Sequence, residues 1–209
     1  MSCILNIETS TSVCSVALSM DGEVLFAKAS FDGPSHAALL GVFVEEALSV
    51  LKKKGKKALD AVAVSSGPGS YTGLRIGVSV AKGLCFGFGI PLIGIHTLDI
   101  MAATVNSKGD SQIVSITDDC LYCAMLDARR MEVYAAIYDA SLNLSARRRP
   151  ILWKPVRMLL IWKKGKFVSL ATVSSKCKSV ITSPNAIFIE DIHPLAVNMI
   201  PLSEQAFAA

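Results

Sequence analysis

Residues 66–77 have the sequence SGPGSYTGLRIG, which follows the apolar run Ala61 to Ser65. The run is typical of a buried strand, so we expect a strand, a glycine-rich turn and the start of a helix. Glycines let backbone N–H groups approach an anion, and a helix N-terminus carries partial positive charge, so this turn suits phosphate. The stretch is neither a P-loop nor a GxGxxG fingerprint. A tight turn that needs unusual dihedral angles is an equally supported alternative.

Two helix faces are predicted around this turn. Small residues recur every four positions after it, at Gly73, Gly77, Ala81 and Cys85. Such a face lets another element approach closely, either the chain's own sheet or a partner's helix. Before the turn, apolar residues three and four apart predict an amphipathic helix beyond Pro34. These residues are Leu40, Phe43, Val44, Ala47, Leu48 and Leu51.

The order of the predicted elements favours a duplicated α/β architecture. Three strands joined by tight turns within residues 3–29 form an antiparallel meander, and the helix and the strand described above follow. Beyond the glycine-rich turn we expect a strand at 90–95 and a short helix at 98–105. A strand pair at 122–127 and 132–139 then begins a second meander. This order indicates two lobes with mixed sheets, and not a doubly wound Rossmann sheet.

The composition excludes a disordered chain, because 52% of the 209 residues are hydrophobic and 18% are charged. The net charge of +4 comes from one segment. Between Asp139 and Glu190 there is no acidic residue, while ten lysines and arginines occur. The rest of the chain has eleven basic and seventeen acidic residues, a balance of −6.

The N-terminus lacks the basic leader and apolar stretch of a signal peptide, so we expect a cytoplasmic protein. The most apolar run, residues 83–95, is too short to cross a bilayer, and no membrane span is expected. Cys120 and Cys123 form the one CxxC pair. No second pair completes a zinc site, so a structural role is favoured over a redox or metal role.

Four motifs together carry a resemblance to the TsaB family, also called YeaZ. They are ILNIETST at 4–11, the stretch 66–77, PLIGIHTL at 91–98 and LDARRMEVY at 126–134. The resemblance covers residues 2–144 and resumes near Lys176. It implies an actin/hexokinase/Hsp70-like fold, in which each lobe is built on a ribonuclease-H-like sheet. It also implies a role in making threonylcarbamoyladenosine beside the anticodon of tRNA.

The resemblance implies partners as well. TsaB-like proteins pair with a catalytic paralogue, TsaD, and an ATPase, TsaE, completes the assembly. ATP and a metal ion are expected on those partner subunits, and no cofactor is expected on this chain. The resemblance allows a homodimer in isolation, and tRNA is expected to bind only through the complex.

The chain is expected to be a non-catalytic subunit. TsaD-like proteins carry a His-x-x-x-His metal pair just after the strand that matches residues 93–95. Alignment places those ligands at Thr97 and Met101, which cannot replace imidazoles. His96 has no partner at the required spacing, and His36 and His193 complete no recognisable triad. We therefore expect no catalytic residue and no metal site.

Two groups of site residues follow from the motifs and the resemblance. Weak or vestigial nucleotide-facing loops are expected at Glu8, Thr9, Ser10, Thr11, Gly67, Pro68, Gly69, Ser70, Tyr71, Thr72, Gly73 and Arg75. A partner interface is expected at Leu40, Phe43, Val44, Ala47, Gly73, Gly77, Ala81 and Cys85.

We expect an N-terminal lobe at 1–105 and a C-terminal lobe at 106–209 that ends short of the family's closing strand. The C-terminal lobe contains an anomalous basic segment, 146–174, where the resemblance breaks. Two interpretations stay open: a genuine basic insertion for tRNA, or an out-of-frame reading bounded by two compensating base changes. The second is favoured, because shifting the frame of codons for a Phe-Phe-Gly-Asn-Gly turn yields residues like 169–173.

An alternative function belongs to a different class. The chain could be a stand-alone enzyme, either a glycoprotease-like hydrolase or a small sugar-kinase-like phosphotransferase. Turnover of ATP or of a glycopeptide by the purified chain would distinguish this alternative from a scaffold subunit.

Overall fold

A computed structural model describes most of the chain. The described residues are 2–33, 35–55, 58–107, 121–128, 132–139, 144–153, 167–171, 177, 181–184, 186–189 and 191–209. They divide into two compact units, Met1–Ile100 together with Pro194–Ala209, and Met101–His193.

The first unit is built on a five-stranded mixed sheet. Its strands are β1 (Cys3–Glu8), β2 (Cys14–Met20), β3 (Glu23–Ser30), β4 (Ala61–Ser65) and β5 (Leu92–Ile95). They lie in the order β3-β2-β1-β4-β5, in which β1 to β3 are antiparallel neighbours and β4 and β5 run parallel to β1. The predicted meander and both later strands are therefore confirmed.

Two long helices cover one face of this sheet. They are α1 (His36–Lys53) and α2 (Tyr71–Phe88), and a shorter helix, α3 (Thr97–Ser107), follows β5. Helix α2 ends at Gly89, whose left-handed conformation (φ 67°) is one that glycine adopts without strain. The buried apolar residues of α1 pack with alternate residues of β1, β2 and β4, and Ala81 of α2 joins them. The amphipathic helix predicted beyond Pro34 is thus confirmed.

The opposite face of the sheet is covered by the end of the chain. A 3-10 turn (Ala196–Met199) and helix α4 (Ile200–Ala208) pack on apolar residues of β1, β2 and β4. The Ala196 N–H donates to the buried Ser15 hydroxyl at 2.9 Å. The predicted division at residue 105 therefore needs a correction, because residues 194–209 complete the first lobe and not the second.

The second unit repeats the topology of the first. Its strands are β6 (Leu121–Asp127), β7 (Val133–Tyr138), β8 (Leu144–Trp153), β9 (Phe167–Ala171) and β10 (Ala186–Ile189). Their order, β8-β7-β6-β9-β10, corresponds strand for strand to the first sheet. In both sheets three antiparallel strands are followed by two parallel ones. The predicted duplication is thus confirmed in the backbone.

The anomalous basic segment contributes two strands to this second sheet. The greater part of β8 and the whole of β9 lie within residues 146–174, although no strand was predicted there. The pairing of β8 with β7 has shifted register beside Ile137. Residues 154–166 and 172–174 lie outside the described part of the chain. Both interpretations of the segment stay open.

Within the described residues, no helix has the length and apolar character needed to cross a membrane.

The attachment of α4 is testable through Glu204. Its carboxylate accepts from the Ser2 hydroxyl at 2.5 Å, the Ser19 hydroxyl at 3.2 Å and the Gly22 N–H at 3.1 Å. We expect Glu204→Ala to lower the free energy of unfolding by about 1–3 kcal/mol, because these donors lose their acceptor. Urea unfolding measures the change. The exposed Glu45→Ala is the control, expected to change stability by less than about 0.5 kcal/mol. Equal values for both variants would contradict the attachment.

Candidate functional site

The two predicted nucleotide-facing loops meet where β1 and β4 end. The Thr9 hydroxyl donates to the Gly73 carbonyl oxygen at 2.9 Å, and the Ser70 N–H donates to the Ser10 carbonyl oxygen at 2.6 Å. The loop of residues 9–11, which follows β1, is therefore hydrogen-bonded to the first turn of α2. We call this contact the seam.

Three glycines allow the close approach along the seam. A Cβ atom added at Gly69 would collide with the Ser10 carbonyl oxygen, and one at Gly73 with the Thr9 carbonyl oxygen. At Gly77 an added Cβ would collide with Thr9 Oγ1. Of the alternatives left open by the sequence, the structure selects close packing on the chain's own sheet and loop for the small-residue face of α2.

Two backbone N–H groups at the start of α2 already donate hydrogen bonds within the chain. Besides the Ser70 N–H, the Gly73 N–H donates to the Ser70 hydroxyl at 3.3 Å, which caps the helix. Two cavities lined by described residues, of about 470 and 410 Å³, lie along α1, and no residue of the seam lines either one. Phosphate binding at this turn stays a prediction.

The predicted loop residues differ widely in exposure. Glu8, Thr9, Ser10, Gly67 and Gly73 are buried; Thr11, Pro68 and Gly69 are half-buried; Ser70, Tyr71, Thr72 and Arg75 are exposed. Tyr71 is 74% exposed, and the Arg75 guanidinium lies 5.4 Å from the centre of the Tyr71 ring. The buried members serve the seam, whereas Tyr71 and Arg75 face outward.

Glu8 is the most unusual side chain of the site. It is completely buried at the end of β1, and its Oε1 accepts from the Ser10 N–H at 2.5 Å. Three neighbouring atoms, Glu8 Oε2 and the hydroxyl oxygens of Ser10 and Ser65, have no protein partner in hydrogen-bonding geometry. Burial raises the pKa of the Glu8 carboxyl from 4.5 to about 7, although the Ser10 N–H and the nearby Ser10 and Ser65 hydroxyls oppose the shift.

Sequence reasoning missed two residues of this region. His36 was treated as isolated, yet it is buried at the start of α1, its Nε2 lies 2.8 Å from the Thr11 carbonyl oxygen, and its ring packs beside Gly73. Ser65, the last residue of β4, was assigned only to the strand. A buried polar residue at the end of a parallel strand is the signal that could have identified Ser65, while no local pattern indicates His36.

The structure corrects the face assigned to the partner interface. Leu40, Phe43, Val44, Ala47, Gly73, Gly77 and Ala81 are all buried within the first unit. Cys85 is half-buried, and its thiol donates to the Pro91 carbonyl oxygen at 3.4 Å. The seven buried side chains cover the chain's own sheet and offer no surface to a partner, whereas Cys85 stays partly accessible.

The face of α2 that points away from the sheet is exposed. We call the exposed residues Tyr71, Arg75, Ser79, Lys82 and Phe86 the outer face of α2. Phe86 is 92% exposed, and beside it the Cβ positions of Gly83 and Gly87 meet no atom within 4 Å. Large exposed aromatic side chains of this kind often mark interaction sites.

The positions considered for a metal ion or a reactive thiol are either buried or outside the described residues. Thr97 and Met101, which stand where the catalytic relatives are expected to hold a metal, are both fully buried. Among the described residues no three His, Cys, Asp or Glu side chains are grouped to hold a metal ion. Of the CxxC pair, Cys123 is buried in β6, where burial raises its pKa, and Cys120 lies outside the described residues.

The tight packing at Gly77 and the open space at Gly83 predict opposite effects of alanine on stability. We expect Gly77→Ala to lower the free energy of unfolding by about 1–3 kcal/mol, because the new methyl group must displace Thr9. Gly83→Ala, where space is open, is expected to raise it by about 0.5–1 kcal/mol. Urea unfolding checks both values. In the double variant Thr9→Ala/Gly77→Ala, we expect the loss of unfolding free energy to be smaller than the sum of the losses in the two single variants. Strict additivity would contradict the clash.

The raised pKa of Glu8 predicts that the stability of the fold depends on pH. Since its pKa is higher in the folded chain, the carboxyl stabilises the fold below about pH 4.5, and this contribution is lost as the pH rises to about 7. We expect Glu8→Gln to be more stable than the natural chain by up to about 3 kcal/mol above pH 7, with the difference vanishing toward pH 4.5. Urea unfolding between pH 4.5 and 8 measures it. A difference that does not vary with pH would contradict the shift.

Comparisons with other proteins agree with the motifs. A protein-family model described as TsaD, tRNA N6-adenosine threonylcarbamoyltransferase, matches residues 32–186. The TsaB protein of Escherichia coli (strain K12), named a tRNA threonylcarbamoyladenosine biosynthesis protein, is 32% identical over 98% of this chain and 87% of its own length. The catalytic-type relative of Nitratidesulfovibrio vulgaris (strain DP4), named tRNA N6-adenosine threonylcarbamoyltransferase, is 38% identical over 47% of this chain and 31% of its own length.

Solved structures show the same relationship. YeaZ from Pseudomonas aeruginosa superposes with a TM-score of 0.81 at 26% identity, over 100% of this chain and 93% of that one. A polyphosphate/ATP-glucomannokinase from Arthrobacter shares the fold alone, with a TM-score of 0.50 at 10% identity. Both confirm the predicted actin/hexokinase/Hsp70-like α/β class. From the nearly full-length match to TsaB and the superposition on YeaZ, the chain belongs to the TsaB (YeaZ) family.

Proposed function

We propose that this chain takes part in the biosynthesis of threonylcarbamoyladenosine in tRNA, as a non-catalytic subunit that pairs with a TsaD-like catalytic protein. The observation that carries the proposal is the match to TsaB proteins over 98% of the chain. The TsaD family model also matches, at residues 32–186, but the TsaD-type relative matches over less than half of the chain. The printed names of the TsaB relatives supply the biosynthetic role.

The buried positions after β5 support a non-catalytic role. A TsaD-like metal pair would need two imidazoles one helical turn apart, and this chain has a hydroxyl at Thr97 and a thioether at Met101. Neither a hydroxyl nor a thioether replaces an imidazole as a ligand of such an ion. We place ATP and the metal ion on the partner subunits for this reason.

The outer face of α2 is the surface that best suits the catalytic partner. It combines two exposed aromatic side chains, Tyr71 and Phe86, with the basic side chains of Arg75 and Lys82. Aromatic residues and arginine are enriched at the centres of protein interfaces. The open space at Gly83 and Gly87 lets a partner element approach the helix backbone beside Phe86. This face replaces the buried one that the sequence pattern suggested.

The remaining partners follow from the same proposal. A TsaE-like ATPase completes the assembly, tRNA is bound by the assembled complex, and the chain works in the cytoplasm. The same outer face could pair with a second copy of this chain when the catalytic partner is absent. The basic segment at 146–174 has no assigned role in this proposal.

The proposal predicts a specific effect of one side chain. We expect Phe86→Ala to weaken binding to a TsaD homologue at least tenfold, because a central aromatic side chain of an interface contributes more than about 1.4 kcal/mol. The matched control is Val24→Ala on β3, which also truncates an exposed apolar side chain (51% exposed) and should leave binding within about twofold. Titration calorimetry measures both affinities, and thermal unfolding shows that both variants are folded.

Each possible result has a clear meaning. If the natural chain does not bind the TsaD homologue, the pairing is refuted. If it binds and Phe86→Ala binds equally well, the outer face of α2 is refuted while the pairing stands. In cells, depletion of the chain should abolish the tRNA modification, and the natural chain should restore it. Turnover of ATP or of a glycopeptide by the purified chain alone would refute the non-catalytic role.

A further inference from the structure

The larger of the two cavities along α1, of about 470 Å³, lies between the ends of α1 and α2 and the connection to β4. Its volume is in the range of ligand-binding pockets. In its lining Leu51 and Leu59 are buried and Leu48 is half-buried, whereas Ala58 and Phe88 are exposed. The cavity is therefore an apolar recess that is open to solvent.

Positive charge lies beside this recess. Lys52 is the one charged side chain among the described lining residues, and Lys54 follows it at the end of α1. Neither lysine has an acidic partner within the described part of the chain. The acidic side chains nearest in sequence have other contacts: Asp60 accepts a backbone N–H of β1 at 2.7 Å, and Glu46 pairs with Lys28 at 2.7 Å.

The helix ends balance only part of this charge. Two helix C-termini meet at the recess, and together they supply about one negative elementary charge. Against this, Lys52, Lys53 and Lys54 supply three positive charges, although Lys53 lines the second cavity together with Glu45. Two more lysines occur at positions 56 and 57 of the sequence. A positive surplus thus remains for an anionic ligand.

The recess is separate from the outer face of α2. Phe86 belongs to the outer face and Phe88 to the recess. Residues two apart on an α-helix point in directions that differ by about 200°. A partner that covers Phe86 therefore does not have to cover the recess.

We propose that this recess is a docking site for an acidic segment of another protein: a large apolar side chain enters the cavity, and flanking carboxylates contact Lys52 and Lys54. The lining favours a protein over a nucleic acid, because bases bind by stacking on flat aromatic faces and the recess is mostly aliphatic. The number of cations favours a segment with several carboxylates over a small molecule with one. This inference does not depend on the proposed pairing with a catalytic subunit.

Short peptides test the charge and the apolar anchor separately. The probe is an end-capped peptide of sequence DELFED, and the controls are KKLFKK and DEAAED. We expect DELFED to bind the full chain with sub-millimolar affinity and to shift the NMR signals of the Leu48, Leu51 and Phe88 amides. Because KKLFKK reverses the charge and DEAAED removes the anchor, both should bind at least about tenfold more weakly.

Variants of the chain locate the site. Lys52→Ala removes a cation and Ala58→Phe fills the cavity, so each should weaken the binding of DELFED at least about fivefold. Lys52→Arg keeps the charge and should bind DELFED within about twofold of the natural chain. Both positions are exposed, and thermal unfolding shows that the variants are folded.

Binding of DELFED that depends on its charge, its anchor, Lys52 and Ala58 supports the docking site. Absence of binding at millimolar peptide would overturn it, and so would equal binding of KKLFKK or DEAAED. Unchanged affinity of either Lys52→Ala or Ala58→Phe would also overturn it, because the peptide would then bind elsewhere. Tighter binding of a single-stranded oligouridylate, lost in Lys52→Ala, would show a nucleic-acid surface in place of the docking site.

Discussion

The close contact between the 9–11 loop and the first turns of α2 is the constraint on which the first lobe depends. Gly69 and Gly73 approach carbonyl oxygens of the loop, and Gly77 approaches the Thr9 side chain, so closely that an added Cβ would collide at each position. The contact sets the position of α2 on the sheet and leaves a carboxyl group, Glu8, sealed beneath it. This contact does not tolerate larger side chains, because in a close-packed interior any added volume displaces the neighbouring atoms.

The seam also explains why one helix can serve two surfaces. Helix α2 approaches the sheet most closely through residues that have little or no side chain. Ile76, Val80 and Leu84 are partly buried against the same core, and Tyr71 and Phe86 point outward. Tyr71 and Phe86 are therefore exposed without weakening the fold. An aromatic, basic outer face on a rigidly held helix is a pre-organised surface, and pre-organisation lowers the entropy lost on binding.

The first lobe is discontinuous in sequence, and its last element is held by polar contacts as well as by apolar packing. Ser15 and Ser19 are buried polar residues of β2 that contact the C-terminal segment through Ala196 and Glu204. Strand β2 thus presents apolar residues to the helices on one face and a mixture of alanine and serine to the chain terminus on the other. A chain that lacked residues 194–209 would leave this second face uncovered.

The sequence by itself determined the strand and helix order of residues 3–105, the first strand pair of the second lobe, the family, and the motifs that lie at the seam, because these depend on local periodicity, turn chemistry and short motifs. It could not decide which side of α2 faces inward, since glycine packs equally well on a sheet or on a partner. It did not place His36 beside Thr11, join residues 194–209 to the first lobe, or show that Glu8 is sealed. Those features arise from contacts between segments distant in the chain, and only the tertiary structure brings these segments together.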